Sequence, residues 1–427
     1  MKLNYKRTIL VGFAFFLISA FWQAYDAIVP LILTNKFNME QADSGFIMSL
    51  DNIFAVFLLP IFGSISDKLS SSRGRRTPFI VIGTIFAATF FCLLGFADTL
   101  ITFIILLLCA LVSMATFRSP AVALMPDVTL KPLRSKGNAV INLMGTAGGI
   151  IVLLLGKLFK TSTEGKTDFF AYIIAVVALM IVALVVFLVT VREKKWAQEM
   201  NVQAKALGIE EKAAQKDENA PKSKLSTSQF ISLCLILASV ALWFIGYNAV
   251  TSKYSVYASN YLKVDYNITL LIAQGAAIIA YIPVGIISSK IGRKKSILAG
   301  IVMLVTSFAL ASFIKEGTPV WVMYPFFSLA GIGWATINVN SFPMVVELAS
   351  SADVGKYTGF YYTASMSAQI VTPTLSGILI DNHGWWILFP YAAIFAGLSF
   401  VTMLFVKHGD SKPKQQGALE SLAGADD

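Results

Sequence analysis

Long apolar stretches broken by short polar turns run along almost the whole chain. Twelve stand out, at about residues 8–33, 44–66, 78–97, 100–125, 138–157, 169–191, 229–250, 267–288, 296–314, 320–343, 357–380 and 385–406. Most are close to the roughly twenty residues that a helix needs to cross about 30 Å of hydrocarbon. A closed β-barrel would instead show short alternating segments. The pattern predicts an all-α membrane protein with twelve transmembrane helices.

The polar turns repeat. Gly63-Ser-Ile-Ser-Asp67-Lys68, followed by Gly74-Arg75-Arg76, recurs 222 positions later from Gly285 as Gly285-Ile-Ile-Ser-Ser289-Lys290-Ile-Gly292-Arg293-Lys294-Lys295, without four residues of the first copy. At the same offset Tyr25-Asp26 falls on Tyr247-Asn248, Arg134 on Lys356 and Gly137 on Gly359. Six helices per half is an even number, so both halves enter the membrane in the same direction. Such a parallel repeat places a substrate site between the halves near mid-depth. The expected organisation is a six-helix bundle over residues 1–191, a solvated and partly helical cytoplasmic linker over 192–228, a second bundle over 229–408 and a cytoplasmic tail over 409–427. The first apolar run is too long for a secretory signal and reads as the first span.

Composition agrees: 56% of residues are hydrophobic and 14% charged, against about half and a quarter in soluble proteins. The net charge of +10 does not point to nucleic acid, because the basic residues sit in turns rather than along one soluble face. With the N-terminus in the cytoplasm, 26 Lys and Arg fall on the inner side and seven outside, Lys36, Lys157, Lys160, Lys166, Lys253, Lys263 and Lys315. The positive-inside rule therefore expects both termini in the cytoplasm. Cys92, Cys109 and Cys234 lie in apolar segments, which argues against a disulfide or thiolate metal site.

Three charges fall inside helices of the first half: Asp26, Asp51 and Arg118. Each costs about 3 kcal/mol to insert, so each is a functional candidate. Asp26 and Asp51 lie about seven and six ångströms to one side of the midplane and Arg118 about nine to the other. The two acids could share a depth and load and release a proton. The Arg118 guanidinium could bind a hydroxyl pair or clamp a carboxylate. Their counterparts at the 222 offset are Asn248, Ala273 and Asn340. This suggests that the first half handles charge and the second supplies polar contacts from Asn248, Gln274, Asn338, Asn340 and Gln369, although such amides also serve as glue between helices. Gln23 and Asn52 stand beside the acids. Trp22, Tyr25, Tyr247 and Trp334 could stack on a sugar ring or simply pack in the core.

No nucleotide machinery is expected: Gly165-Lys166-Thr167 imitates the end of a phosphate-binding loop, but position 160 is Lys rather than Gly. No catalytic triad, metal cluster or cofactor motif is apparent, so a gradient would power transport. The basic turns read as a cytoplasmic gate, with Asp67, Arg75 and Arg76 closing helix 2 and Asp127 with Arg134 at the end of helix 4.

These residues resemble the major facilitator superfamily: Gly63, Asp67 and Gly74-Arg75-Arg76, their copy at Gly285, Gly292, Arg293 and Lys294 with Ser289 in place of the Asp, and the pair Asp127 and Arg134. More narrowly, the lengthened turn and Arg73-Gly-Arg-Arg-Thr-Pro-Phe-Ile80 resemble the proton-coupled sucrose and maltose transporters, with Thr77 where those relatives often carry a third Arg. The resemblance implies symport of a proton with a glucoside, using the charges of helices 1, 2 and 4. Melibiose-type symporters carry two acids four apart in helix 2; here Ala55 follows Asp51 at that spacing, which disfavours sodium coupling. The expectation is a non-enzymatic, proton-coupled glucoside importer, a monomer in the plasma membrane of a prokaryotic cell. Alternatives are a symporter of another sugar, an antiporter exporting a cationic amphiphile and, less in keeping with the retained gate motifs, a non-transporting sensor.

Overall fold

The computed structural model describes residues 3–207, 226–348 and 354–410. The rest of the expected linker (208–225) and of the tail (411–427) lies outside the described residues. Every expected apolar segment is a helix: α1 (Tyr5–Lys36), α2 (Gln41–Lys68), α3 (Thr77–Leu94), α4 (Leu100–Val128), α5 (Arg134–Leu158), α6 (Phe170–Thr190), α8 (Thr227–Leu262), α9 (Tyr266–Ile291), α10 (Arg293–Ala311), α11 (Tyr324–Val346), α12 (Val354–His383) and α13 (Leu388–Leu404). Eleven of these are long and apolar enough to cross a membrane by length and composition. The twelfth, α12, is long enough at 30 residues but carries several Ser and Thr and one Gln, which lower its hydropathy. Helices prevail because hydrocarbon offers no partner for a backbone N–H or C=O, so each must be satisfied within its own segment.

The polar turns then cap the exposed ends. Thr99 accepts the N–H of Thr102 at the start of α4, Ser226 and Gln229 form a reciprocal capping box on α8, and Asp265 accepts the N–H of Asn267 on α9. An additional helix, α7 (Glu193–Ala206), follows α6 in the stretch read as linker. It is docked rather than solvated: Glu193, Trp196, Met200 and Ala204 are buried, with Met200 and Ala204 packed on Leu130 and Leu133.

The described residues form two compact units. Unit 1 takes 3–39 and 50–207; unit 2 takes 40–49, 226–348 and 354–410. The first turns of α2 thus group with unit 2, away from the rest of that helix. Within unit 1, α1 lies along α5 and α3 along α4. Within unit 2, α8 packs on α12 and α13, and α11 packs on α9 and α10.

Small residues permit these approaches, since packing rather than hydrophobic expulsion holds helices together in lipid. A Cβ on Gly148 of α5 would stand 2.6 Å from the Phe16 carbonyl oxygen of α1. Gly300 of α10 and Gly333 of α11 face each other, each with an added Cβ 2.8–2.9 Å from the other's carbonyl oxygen. α9 runs along α11, and α2 meets α4 at Gly63, where an added Cβ would lie 2.8 Å from Ser119 Oγ.

Gly333→Val should force α10 and α11 apart and cost about 1–3 kcal/mol. The expected readout is a drop of several degrees in the thermal unfolding midpoint of the purified protein. The same substitution at Gly397, whose Cβ would meet nothing within 4 Å, should leave the midpoint nearly unchanged.

Candidate functional site

The interior face of α1 is set by aromatic packing. Phe21 stacks on Tyr25 with centroids 6.2 Å apart and leans on Phe91 of α3 at 5.2 Å, while Trp22 meets Tyr25 edge to face at 5.3 Å. Phe21 and Tyr25, one turn apart, are fully buried. That anchoring leaves the Asp26 side chain exposed. Trp22 Nε1 and Tyr25 Oη are buried with no hydrogen-bond partner among the described residues. These donors stand beside charged groups, because Tyr25 is within electrostatic reach of both Asp51 and Asp26.

The three helix charges come together in unit 1. Asp26 interacts electrostatically with Asp51, and Asp51 with Arg118. The Arg118 guanidinium lies 5.6 Å from the centroid of the Trp22 ring, a cation–π distance. Asn52 Nδ2 donates to Asp51 Oδ1 at 2.7 Å. Three helices therefore deliver an acid, a second acid and an arginine to one neighbourhood, although helical rise alone put Arg118 on the far side of the midplane. Gln23 is half-buried on the same helix as Asp26.

Unit 2 assembles its own polar and aromatic set. Trp334 of α11 is stacked face to face on Tyr247 of α8, 3.7 Å between centroids and 4° between planes, and meets Phe244 edge-on at 5.2 Å. One face of Trp334 is thus covered by its neighbour. Asn248 Nδ2 donates to the Phe244 carbonyl at 2.8 Å and Asn340 Nδ2 to the Thr336 carbonyl at 2.9 Å, both back along their own helices. Asn338 and Asn340 are buried, and Asn338 Oδ1 has no hydrogen-bond partner among the described residues. Gln274 and Gln369 are half-buried on α9 and α12. Among the described residues no group of three or more His, Cys, Asp or Glu could hold a metal ion.

At the basic turns, Asp127 at the end of α4 receives both arginines. Arg75 engages it through two nitrogens, Nε at 3.0 Å and Nη2 at 2.6 Å, and Arg76 donates Nε at 2.7 Å. Arg76, 4% exposed, also reaches Asp67 and Ser66 Oγ. The hydrogen bonds and charge of Asp127 hold the Arg75 guanidinium above its ordinary, already high pKa. Arg134 donates to the Thr129 carbonyl at 3.2 Å. In unit 2, Arg293 pairs with Glu347, and Lys294 Nζ donates to the carbonyls of Leu404 and Val406 at 2.8 and 2.6 Å. Gly285 is buried within α9. Lys166, the phosphate-loop look-alike, spends its ammonium on the carbonyls of Phe159 and Lys160.

Two acids outside the expected motifs organise these turns. Glu193, 2% exposed at the start of α7, accepts the backbone N–H groups of Arg75, Arg76 and Thr77 and the Thr77 hydroxyl at 2.7–3.2 Å. It caps α3 and satisfies orphan donors at the positive end of the helix. In unit 2, Asp410 Oδ1 accepts the N–H of Lys294 at 2.8 Å in the first turn of α10. Both turns pass through a glycine with positive φ, Gly74 at 123° and Gly292 at 96°, where a Cβ would strike the capping carboxylate. The one signal for these acids in the sequence is their place just after the last apolar run of each half.

This architecture, with its duplicated basic turns, defines a multi-pass membrane transporter. The chain belongs to the major facilitator superfamily, which it matches over residues 11–280 and 256–424. It is 25% identical over 407 residues to an uncharacterized MFS-type transporter of Methanocaldococcus jannaschii, covering 94% of this chain and 95% of that one. Its fold is similar to the crystal structures of the nucleoside transporter NupG (TM-score 0.68, 15% identity, 94% of this chain and 100% of the other) and of the peptide transporter POT with sulfate (0.70, 13%, 94% and 93%). The protein is a secondary transporter and not an enzyme.

Glu193→Ala should cost about 2 kcal/mol by stranding the α3 donors, lowering the thermal midpoint by several degrees. Glu199→Ala removes only solvent-accessible pairs with Arg7 and Lys195 and should cost about 0.5 kcal/mol. Equal shifts in the two variants would show that the α3 cap contributes nothing special.

Proposed function

We propose that the protein couples a proton to the symport of a glucoside of the sucrose or maltose type. The observation that carries this reading is the linked set Asp26, Asp51 and Arg118. Protonation of one acid alters the balance of charge felt by the other and by Arg118, so proton loading and substrate engagement are coupled through one neighbourhood. In this reading Arg118, with Gln23 and Asn52 nearby, engages substrate hydroxyls. In the second half Asn248, Gln274, Asn338, Asn340 and Gln369 offer hydroxyl partners, and Trp22, Tyr25, Tyr247 and Trp334 offer ring faces. A neutral sugar adds no charge of its own, which suits a site whose acids must cycle between protonated and ionised.

The halves rock around the site, as in other parallel-repeat transporters. Opening and closing of the basic turns at Gly63, Asp67, Gly74, Arg75, Arg76, Asp127 and Arg134, and at Gly285, Gly292, Arg293 and Lys294, accompanies that motion. In this reading the protein works as a monomer in the plasma membrane of a prokaryotic cell with both termini in the cytoplasm, an orientation that the bias of Lys and Arg supports. The exposed carboxylate of Asp26 favours a second reading, export of a cationic amphiphile in exchange for protons.

Purified protein in liposomes containing a pH-sensitive dye separates the two. Adding sucrose, maltose or another glucoside outside should drive protons inward, and Asp51→Asn should reduce that flux about tenfold or more while sugar-induced thermal stabilisation persists. Sugar-driven proton entry that survives Asp51→Asn would remove the acid from the coupling role. Proton release on adding a lipophilic cation, with no response to any sugar, would favour the second reading.

A further inference from the structure

The docked helix α7 encloses a cavity. Between the start of α1, the end of α4 with the turn behind it, and one face of α7 lies a space of about 290 Å³, wholly within unit 1. That volume is at the low end of the range for small-molecule sites, about 300–1,000 Å³. It holds about ten heavy atoms if each takes the ~30 Å³ of a liquid water.

The lining has two characters. Its floor is apolar and closed to solvent: Val11, Met125, Leu130 and Met200 line it, none more than 8% exposed. Two of the four are methionines, whose unbranched thioethers adapt to the shape of an occupant. The rim is polar, and Asn4, Arg7, Glu199 and Gln203 there are each at least partly exposed.

Charge at the rim selects the sign of the occupant. Arg7 Nη1 is 2.6 Å from Glu199 Oε2, and the guanidinium lies 5.3 Å from the centroid of the Trp196 ring. Through its other oxygen the same carboxylate faces Lys195 Nζ at 4.0 Å. Two cations thus share one acid, which leaves one positive charge in excess. An incoming carboxylate can take the Arg7 fork in two parallel hydrogen bonds while Glu199 keeps Lys195. A cationic guest would instead have to displace one of the two cations that Glu199 already faces.

The cavity also adjoins both anchors of the basic turn. Val128 and Thr129 in its wall directly follow Asp127, which holds Arg75 and Arg76. Trp196, in the opposite wall, stands three residues past Glu193, which caps α3. An occupant would brace these two anchors against each other.

We propose that this cavity binds a medium-chain carboxylate, its head on Arg7 and its tail among Val11, Met125, Leu130 and Met200. Binding steadies the turn at Arg75, Arg76 and Thr77, so the site is a regulatory one. A two-chain phospholipid is several times too large to enter whole. Nothing in this depends on which substrate is transported.

Octanoate, with ten heavy atoms, is the probe, titrated into the full-length protein in phosphatidylcholine nanodiscs and followed by calorimetry against empty nanodiscs. Saturable binding of one octanoate per chain is expected. Arg7→Gln should weaken it about tenfold by removing charged hydrogen bonds. Met200→Trp, which fills the floor, should abolish it. Glu199→Gln, which removes the competitor for Arg7, should instead tighten it about two- to threefold. A pair that served stability alone would show no such opposite signs. Octanol, the same tail without the charge, should bind at least about tenfold more weakly. No saturable binding of octanoate, or binding that Arg7→Gln and Met200→Trp leave unchanged, would overturn the site. Replacing a third of the lipid by phosphatidylglycerol, in salt high enough to screen the bilayer surface, should leave the affinity for octanoate unchanged. A loss of about tenfold would mean that a lipid headgroup takes Arg7, which would overturn the carboxylate assignment. Bound octanoate should also slow backbone hydrogen exchange at Arg75, Arg76 and Thr77 severalfold, read by mass spectrometry. Octanoate that binds without slowing it would overturn the regulatory link to the turn.

Discussion

A polar group in hydrocarbon has no water to fall back on, and most of this structure follows from that constraint. It makes every spanning segment a helix. It turns the helix ends, where several N–H and C=O groups have no partner along the helix, into the places where side chains matter most. It also makes each charged residue within a span a cost that must be offset by partners. Asp26, Asp51 and Arg118 answer by gathering in one neighbourhood. Lys253 answers with a carbonyl and a nearby carboxylate.

The same constraint explains why the basic turns depend on acids from beyond their own motif. Arg75 and Arg76 neutralise Asp127 and Asp67, but the backbone of that turn also presents three N–H groups where α3 begins. Glu193 takes all of them, which ties the helix following α6 to the turn before α3. Asp410, just after α13, does related work at the start of α10 with a single N–H. The duplication has thus preserved a geometric solution, a glycine with positive φ facing a carboxylate, while the acid and the number of donors diverged.

The fold was legible in the sequence because hydropathy and the 222-residue offset each depend on many positions at once. The charged members of the interior set were legible for the opposite reason: a single charge in an apolar run is conspicuous. Hydropathy says less about helix ends. The seventh apolar run ends near residue 250 by hydropathy, but Tyr254, Val256 and Tyr257 keep the helix going to Leu262. Lys253, expected in an outer loop, is for that reason buried within a helix. Glu193 and Asp410 looked like ordinary solvated charges, since nothing in spacing tells which distant N–H groups an acid will meet. The face-to-face stack of Tyr247 on Trp334 joins residues 87 positions apart in the chain, a contact that the repeat offset cannot encode.

α2 and α9 show how one packing device is re-placed after duplication. By sequence they are twins, and both carry an internal proline, Pro60 and Pro283. Each meets a helix of its own half at a glycine: a Cβ on Gly331 of α11 would lie 2.1 Å from the Ala273 carbonyl oxygen of α9, and a Cβ on Gly63 of α2 would lie 2.8 Å from Ser119 Oγ of α4. The two glycines are not equivalent, because at the 222 offset Gly331 falls on Cys109 and Gly63 on Gly285. Close approach through a small residue is what holds helices together in lipid, so two halves descended from one sequence can keep the same contact while moving the glycine that permits it.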